Sequence, residues 1–346
     1  MEFKNGANID TRPESEKLKD FRFGEIVSAT NPVNWIQKPE IEWRTFPIYN
    51  QNGSGSCVAQ TMAKLLGIIY WLKNKDYVHF SATHIYQRRI NKPAGGMNGV
   101  DAFEIARAGV TLEELTPSQN MNDEVMDAVE IQQYKKDVGE IFKIGNYVQP
   151  AIKSIDTIAS IIQTTGKGVM VWFYFQANEW TGEPAINNPD LDLNGPDTIR
   201  HSVAAVDFTL YGGKKALIIE DSWGVNYGYK GQRVITEEFF KARNWFAAYP
   251  INFKFEDQVL QMPKPKYIFN KDLQFGQKND DITALQNILK FNGMFPTNAE
   301  STGYFGAITK EGVQKFQIQW GIVSPEDAGY GRVGPKTRTI LNRLFS

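Results

Sequence analysis

The chain predicts an α+β fold followed by a small C-terminal three-helix domain. Three observations carry that prediction. Apolar residues recur at helical spacing through residues 57–108, strand-like apolar runs cluster within residues 168–235, and roughly the last eighty residues repeat a turn–helix pattern of their own.

Residues 1–40 are mixed and polar, broken at Asn31-Pro32 and Lys38-Pro39, and read as an extension packed in part onto the next domain. Val58, Met62, Leu65, Leu66, Ile69 and Leu72 mark a helix over residues 57–73, with Cys57 in its first turn. Helices are expected over residues 82–90 and 100–108, the second stopped by Gly109. Residues 111–150 carry charge and few landmarks. A helix at 155–164, a buried strand at 168–173 and a polar loop at 184–197 come next. A hairpin then runs 202–210, turns at Gly212-Gly213 and returns over 215–220, with more strand at 232–235. Residues 254–268, with Pro263 and Pro265, form a linker. The expected division is therefore an extension 1–40, a main domain 41–253, the linker 254–268 and a small domain 269–346.

Composition narrows the function classes. A chain of 346 residues has room for two or three domains, and 42% apolar content supports a sizeable core. Basic and acidic residues nearly cancel (38 against 39), so no strong positive field invites nucleic acid. No apolar stretch is long enough to span a bilayer, and the start lacks a signal-peptide core. One cysteine excludes an intramolecular disulfide, which fits a reducing compartment or any fold stable without staples. No His-rich or carboxylate cluster marks a metal site, and no cofactor is expected.

The single cysteine carries the chemistry. A cysteine attacks a carbonyl as thiolate, and a helix N-terminus or an imidazolium lowers its ordinary pKa of about 8.5. The run Gly53-Ser54-Gly55-Ser56 allows a tight turn that delivers Cys57 to the start of its helix. His201 would provide the imidazolium and return a proton to the leaving amine. Asp221, at the same end of the hairpin, would hold its other nitrogen. The Gln51 side-chain amide and the Cys57 backbone N–H would form the oxyanion hole. Taken singly, a helical cysteine is usually a small buried hydrophobe and a histidine beside a hairpin a polar edge residue. Their joint arrangement favours the reactive reading.

That arrangement resembles the papain-like cysteine peptidases over about residues 41–251. Gln51 precedes Cys57 by six positions, as in the family's Gln-Gly-x-Cys-Gly-Ser-Cys-Trp, and Gly55-Ser56-Cys57 matches directly. Pro47-Ile48-Tyr49-Asn50 resembles Pro-Val-x-Asn, and Ile41-Glu42-Trp43-Arg44 resembles the Asp-Trp-Arg near the mature start. Phe80-Ser81 and Gly109-Val110 fit later landmarks. His201 matches the family histidine in His-x-Val-x-x-Val, and Asp221-Ser222-Trp223-Gly224 matches Asn-Ser-Trp-Gly. The resemblance implies a two-lobed fold in which Gly95 and Gly96 line the substrate cleft and Trp223 shields the polar pair from water. It also implies that Ile199 and Ser202 border an apolar specificity pocket. It puts Trp180 either at the cleft rim or as an anchor in a surface loop.

Three departures stand out. Ser54 replaces a disulfide cysteine, Val58 replaces tryptophan, and Asp221 replaces asparagine. The aspartate can still accept from His201 and would favour its protonated form, shifting the pH optimum. No long helical propeptide is visible in residues 1–40.

Residues 269–346 resemble the three-helix peptidoglycan-binding module through Leu285-Gln286, Tyr304-Phe305-Gly306, Phe316-Gln317 and Val333-Gly334-Pro335-Lys336-Thr337. Thr309 and Thr337 are expected to cap helices. Leu285, Leu289, Phe305, Val313, Phe316, Ile340 and Leu344 are expected to form the core. The resemblance implies a cell-wall polymer as partner, with Tyr304, Trp320 and Tyr330 as candidate contacts. The expected function is a cysteine peptidase acting on proteins or peptides at a bacterial or phage-associated envelope, whether located there, outside the cell or on a virion. The alternatives are a silent wall-binding or structural protein and a thiol-dependent peptidoglycan amidase or endopeptidase.

Overall fold

The structure, a computed structural model, describes residues 6–17, 32–150, 154–182, 189, 198–255, 265–292, 294–296 and 300–346, without the Tyr134 side chain. Outside the described residues lie parts of the expected N-terminal extension (1–5, 18–31), the expected loop at 184–197 apart from Pro189, residues 256–264 of the expected linker, and Gly293. Contacts divide the chain into a larger unit, Met1–Gln132 with Gly139–Phe255, and a smaller one, Gln133–Val138 with Glu256–Ser346.

In the larger unit the apolar helix Cys57–Asn74 is buried around its whole circumference from Cys57 to Tyr70, so it serves as a central strut rather than a surface helix. The next helix is shorter than expected, Ala82–Tyr86. Arg89 turns back to donate to the Tyr86 carbonyl and to pair with Asp127, which ends the helix before residue 90. The helix Gly99–Ala108 starts on the Asn98 side chain and stops at Gly109, whose φ of 115° a residue with a β-carbon seldom adopts. Among the described residues no helix is long and apolar enough to cross a membrane.

Two short strands, β1 (Ala7–Asn8) and β2 (Met97–Asn98), pair in parallel. Six further strands come after them: β3 (Asn146–Val148), β4 (Val169–Gln176), β5 (Thr198–Tyr211), β6 (Lys214–Glu220), β7 (Gln232–Thr236) and β8 (Asn244–Ile251). They form one antiparallel sheet of order β3-β8-β4-β5-β6-β7. Gly212 and Gly213, both at positive φ, make the tight β5–β6 turn. Period-two alternation points Val169, Val171, Phe173 and Phe175 into one core with Ile158, Ile161, Ile162, Phe239 and Phe240. Each such fully buried side chain contributes about 1.5–3 kcal/mol. Strand β5 begins earlier than expected, so His201 lies within the strand rather than at its start. Part of the N-terminal extension packs on this sheet. Trp35 meets Phe208 edge-on at 5.4 Å, and Lys38 bonds Asp207.

The smaller unit holds the helices Asp280–Phe291, Ala307–Gln319 and Pro335–Phe345 around a core that includes Leu285, Leu289, Phe305, Val313 and Phe316. In the last helix the buried apolar residues are Leu341 and Phe345. Ile340 and Leu344, expected there, pack only at its edge. The inward row continues Thr337 at steps of four and is rotated by one residue from the expectation. Thr309 and Thr337 are not caps, since Gly306 and Gly334 hold those positions. Instead each buried threonine hydroxyl receives a glutamine. Gln286 Nε2 donates to Thr309 Oγ1 at 2.9 Å and to Tyr304 O, while its Oε1 accepts from Gly303 N. Gln317 Nε2 donates to Thr337 Oγ1 at 3.0 Å and to Gly329 O and Arg332 O, while its Oε1 accepts from Gly331 N. The repeat visible in sequence is thus one device used twice: a helix-borne glutamine clamping the turn that opens the next helix.

Candidate active site

Backbone geometry delivers Cys57. Asn52 and Gly53 turn with positive φ, and Ser54 N donates to Gln51 O at 2.9 Å. Gly55 passes so close to the next loop that a β-carbon there would lie 2.7 Å from Gly96 N. The chain then enters the helix at Cys57, whose first turn offers N–H groups and the positive end of the helix dipole to a thiolate.

His201 lies opposite Phe173 in the β4–β5 register. Its Nε2 stands 2.7 Å from Asp221 Oδ1, with both side chains buried. The Cys57 thiol acts on the same imidazole and favours its charged form. With Nε2 engaged, Nδ1 is the nitrogen able to meet the sulfur. Asp221, just past β6, accepts four hydrogen bonds. Oδ1 takes His201 and Ser222 N at 2.8 Å; Oδ2 takes Trp180 Nε1 at 3.0 Å and Arg233 Nε at 3.2 Å. A carboxylate has about four acceptor positions, so Asp221 is saturated.

Charge is set by these contacts. Burial opposes a charged His201, but the Asp221 carboxylate and the Cys57 thiol outweigh it and lift the imidazolium pKa to about 9. Burial would likewise raise the Asp221 carboxyl, but the imidazolium, Arg233 and the Trp180 N–H bring it down to about 2.

Gln51 is buried between the two halves of the site. Its backbone N donates to Ser222 O at 2.8 Å, its Nε2 donates to Ser54 O, and its Oε1 accepts from Ser222 Oγ. The amide nitrogen has a second proton to offer. Trp223 lies against the imidazole, with ring centroids 4.9 Å apart. Ile199 is nearly buried, and Ser202 is fully buried with its hydroxyl donated to Thr61 Oγ1 on the Cys57 helix. Gly95 and Gly96 flank the N-terminal segment. Asn8 Nδ2 donates to Gly95 O at 3.3 Å, and Met97 N donates to Gly6 O at 2.8 Å. Gly6 N in turn donates to Arg200 O, and a β-carbon on Gly6 would stand 2.3 Å from Cys57 Sγ. Cys57 is accordingly fully buried.

Sequence reasoning missed part of this shell. Trp180 is neither at a rim nor in an exposed loop; it is 1% exposed, stacks on Phe175 at 4.4 Å and donates to Asp221. It rides on the one-turn helix Ala177–Trp180, which Glu179 holds by accepting from Gln176 N and pairing with buried Arg243. Arg233 was missed too. The available signal was an arginine directly before the apolar pair Val234-Ile235 of β7, one strand from an aspartate standing where asparagine was expected. In the smaller unit Tyr304 is exposed in the turn before the second helix, Trp320 packs half-buried near Phe316, and Tyr330 is half-buried before the third helix.

A lone thiol at a helix N-terminus, facing a sheet-borne histidine whose far nitrogen is held by a buried carboxylate, has the layout of a thiol hydrolase. The sequence model for papain family cysteine protease matches residues 33–241, more than half of the 346-residue chain, and the chain belongs to that family. A second model, described as a putative peptidoglycan binding domain, matches residues 278–341. The fold is similar to that of Xylellain, a cysteine protease from Xylella fastidiosa, with a TM-score of 0.56 and 17% identity, covering 72% of this chain and 96% of that one. Lower TM-scores of 0.48 relate it to the bromelain protease from Ananas comosus (19% identity, 61% of this chain, 94% of that one) and to digestive procathepsin L 3 of Tenebrio molitor (14%, 64% and 76%). A comparison with curated proteins gave no match.

Proposed function

We propose that this cysteine protease cuts peptide bonds through Cys57, His201 and Asp221, with Gln51 assisting, and that the smaller unit directs it to a cell-wall polymer. The observation that carries the reading is the buried 2.7 Å His201–Asp221 bond on an imidazole whose charged form the Cys57 thiol also favours. His201 takes the thiol proton, and Cys57 Sγ attacks the substrate carbonyl carbon. The oxyanion receives hydrogen bonds from the Cys57 N–H and the second Gln51 amide proton. Collapse breaks the C–N bond, and the amine leaves with the proton from His201. Water, deprotonated by the same imidazole, then cleaves the thioester and restores the thiol. Asp221 keeps the ring oriented and its charged form stable throughout.

The position of Gly6 against Cys57 supports a latent form of this enzyme, in which residues 6–8 must leave before substrate enters. Tethering through the smaller unit would raise the enzyme's concentration at its polymer without altering its chemistry. The test is incubation of the full chain with an unstructured protein and, separately, with purified peptidoglycan, beside Cys57→Ala. New protein termini absent from the variant support the peptidase. New amines from peptidoglycan alone would move the assignment to a wall amidase or endopeptidase. No product from either, with residues 1–12 removed and Cys57 open to alkylation, would leave a silent binding protein.

A further inference from the structure

We infer that Arg233 is a positioning residue that neutralises Asp221 and thereby sets the proton affinity of His201. The inference rests on the peptidase reading for its kinetic consequence but not for its geometry.

In the reactive form that the peptidase reading requires, a Cys57 thiolate, a His201 imidazolium and the Asp221 carboxylate sum to one uncompensated negative charge in a buried site. An asparagine in place of Asp221 would leave the site neutral; the aspartate does not. Burying an unpaired charge is costly, so a counter-ion is required nearby. Arg233 Nε lies 3.2 Å from Asp221 Oδ2, with both side chains buried. The guanidinium is fixed from three further sides. It donates to Gly182 O at 3.0 Å, and its Cζ lies 5.5 Å from the Trp180 ring and 5.6 Å from the Trp223 ring. Those two rings also flank His201, at 6.0 and 4.9 Å. One arginine therefore touches the carboxylate and both aromatic walls around the imidazole.

The other charges close by are already matched. Lys64, on the Cys57 helix, feels Asp221 but is bonded to Glu220 at the end of β6. Glu179, behind Trp180, is paired with Arg243. Cys57 and His201 form the remaining facing pair. Among the described residues this leaves Arg233 as the cation beyond His201 that is paired with Asp221. It reaches that place because Arg233 sits in β7 opposite Ile219, two residues before Asp221. Its positive charge favours the Asp221 carboxylate, and a cation behind that carboxylate weakens its hold on the imidazolium. Without it, Asp221 would hold the His201 proton more tightly, making His201 a poorer acid toward the leaving amine.

The test uses the full-length chain with Arg233→Met, Arg233→Lys, Asp221→Asn and the double variant Asp221→Asn/Arg233→Met. The chain has three histidines, so the His201 imidazole C–H signal can be assigned by its loss in His201→Gln and titrated by NMR. Arg233→Met should raise the His201 midpoint by about one unit, tenfold in proton affinity. Arg233→Lys, which keeps the charge, should leave the midpoint close to native. Asp221→Asn strands a buried guanidinium, so the double variant should melt higher than Asp221→Asn alone. With a peptide substrate and residues 1–12 removed from each variant, Arg233→Met should lose about tenfold in kcat/KM at neutral pH while Arg233→Lys keeps most of it. An unmoved midpoint in folded Arg233→Met, or melting losses that simply add in the double variant, would overturn the inference. If Arg233→Met does not fold, a folded double variant supports charge compensation and an unfolded one overturns it. A chain that cleaves no peptide even after residues 1–12 are removed would sink the peptidase reading, while titration and melting would still decide the role of Arg233.

Discussion

Gly6 occupies the space directly over the Cys57 sulfur: a β-carbon added there would lie 2.3 Å from Sγ and 2.7 Å from Gly55 O. The Gly6 carbonyl is held by Met97 N, so this nearest peptide group is bound by the wall of the cleft rather than offered to the thiol as a substrate carbonyl. Replacing Gly6 by leucine would add atoms where none fit, at a cost of about 1–3 kcal/mol to the closed arrangement. That corresponds to roughly a five- to hundredfold rise in the exposed population. Iodoacetamide labelling read by intact mass checks this, since one cysteine gives one label. Equal rates for the native chain, Gly6→Leu and a chain lacking residues 1–12 would remove the case for latency.

The His201–Asp221 pair makes both activity and stability depend on pH. His201 is raised to about 9, so kcat/KM should fall with an alkaline limb near that value. In Asp221→Asn the limb should move down toward about 6.5 as the carboxylate is lost. For stability, a raised histidine pKa gives a contribution fully present below about 6.5 and lost as pH rises through 9. The depressed Asp221 pKa gives a contribution present above about 3.9 and lost as pH falls through about 2. The melting temperature of the larger unit should therefore be highest between those ranges. A profile flat from pH 6 to 10 would contradict the pairing.

Below the site, Lys64 and Glu220 form a buried ion pair. Lys64 also donates to Pro47 O at 2.8 Å, and Glu220 accepts from Phe46 N at 2.7 Å. The pair ties the Cys57 helix to the strand leading into Asp221. Lys64→Met leaves Glu220 buried and short of its cation, which should cost about 3–5 kcal/mol. In a unit of this size the transition should drop by roughly 6–20 °C. Lys64→Met/Glu220→Gln should recover part of that loss because no buried charge remains. Calorimetry of both variants decides it, and an undiminished Tm in Lys64→Met would show the pair to be unimportant.

Much of the candidate site's arrangement was legible because it is local in sequence. The turn at Gly53–Ser56, the first helical position of Cys57 and the hairpin joining His201 to Asp221 all arise from residue types over short spans. Trp180, Arg233 and the Glu179–Arg243 pair were not legible, because each acts across strands that only the sheet order brings together. The contact of Gly6 with Cys57 spans some fifty residues and carries no local signal. In the smaller unit the helical period was clear, but its phase in the last helix was not. Ile340 and Leu341, and likewise Leu344 and Phe345, offer two adjacent apolar rows, and only packing against the neighbouring helices selects Leu341 and Phe345.

Gln317 provides a test confined to the smaller unit. Its side chain closes the turn before the last helix with four hydrogen bonds, among them 2.7 Å to Gly331 N and 2.7 Å to Arg332 O. Gln317→Leu keeps the volume but leaves Gly331 N, Arg332 O and the Thr337 hydroxyl buried without that partner. Each such group costs about 1–3 kcal/mol, so the unit should lose several kcal/mol. Gln317→Glu is a sharper variant: it keeps the acceptor for Gly331 N but loses the donors and buries a charge, and should be at least as damaging. Calorimetry should show the transition of the smaller unit lowered in both. Sedimentation with purified peptidoglycan should show binding weakened in step, while cleavage of a soluble peptide stays native. Loss of soluble-peptide cleavage together with polymer binding would mean that the peptidase depends on the smaller unit for its own fold, and the targeting role would have to be abandoned.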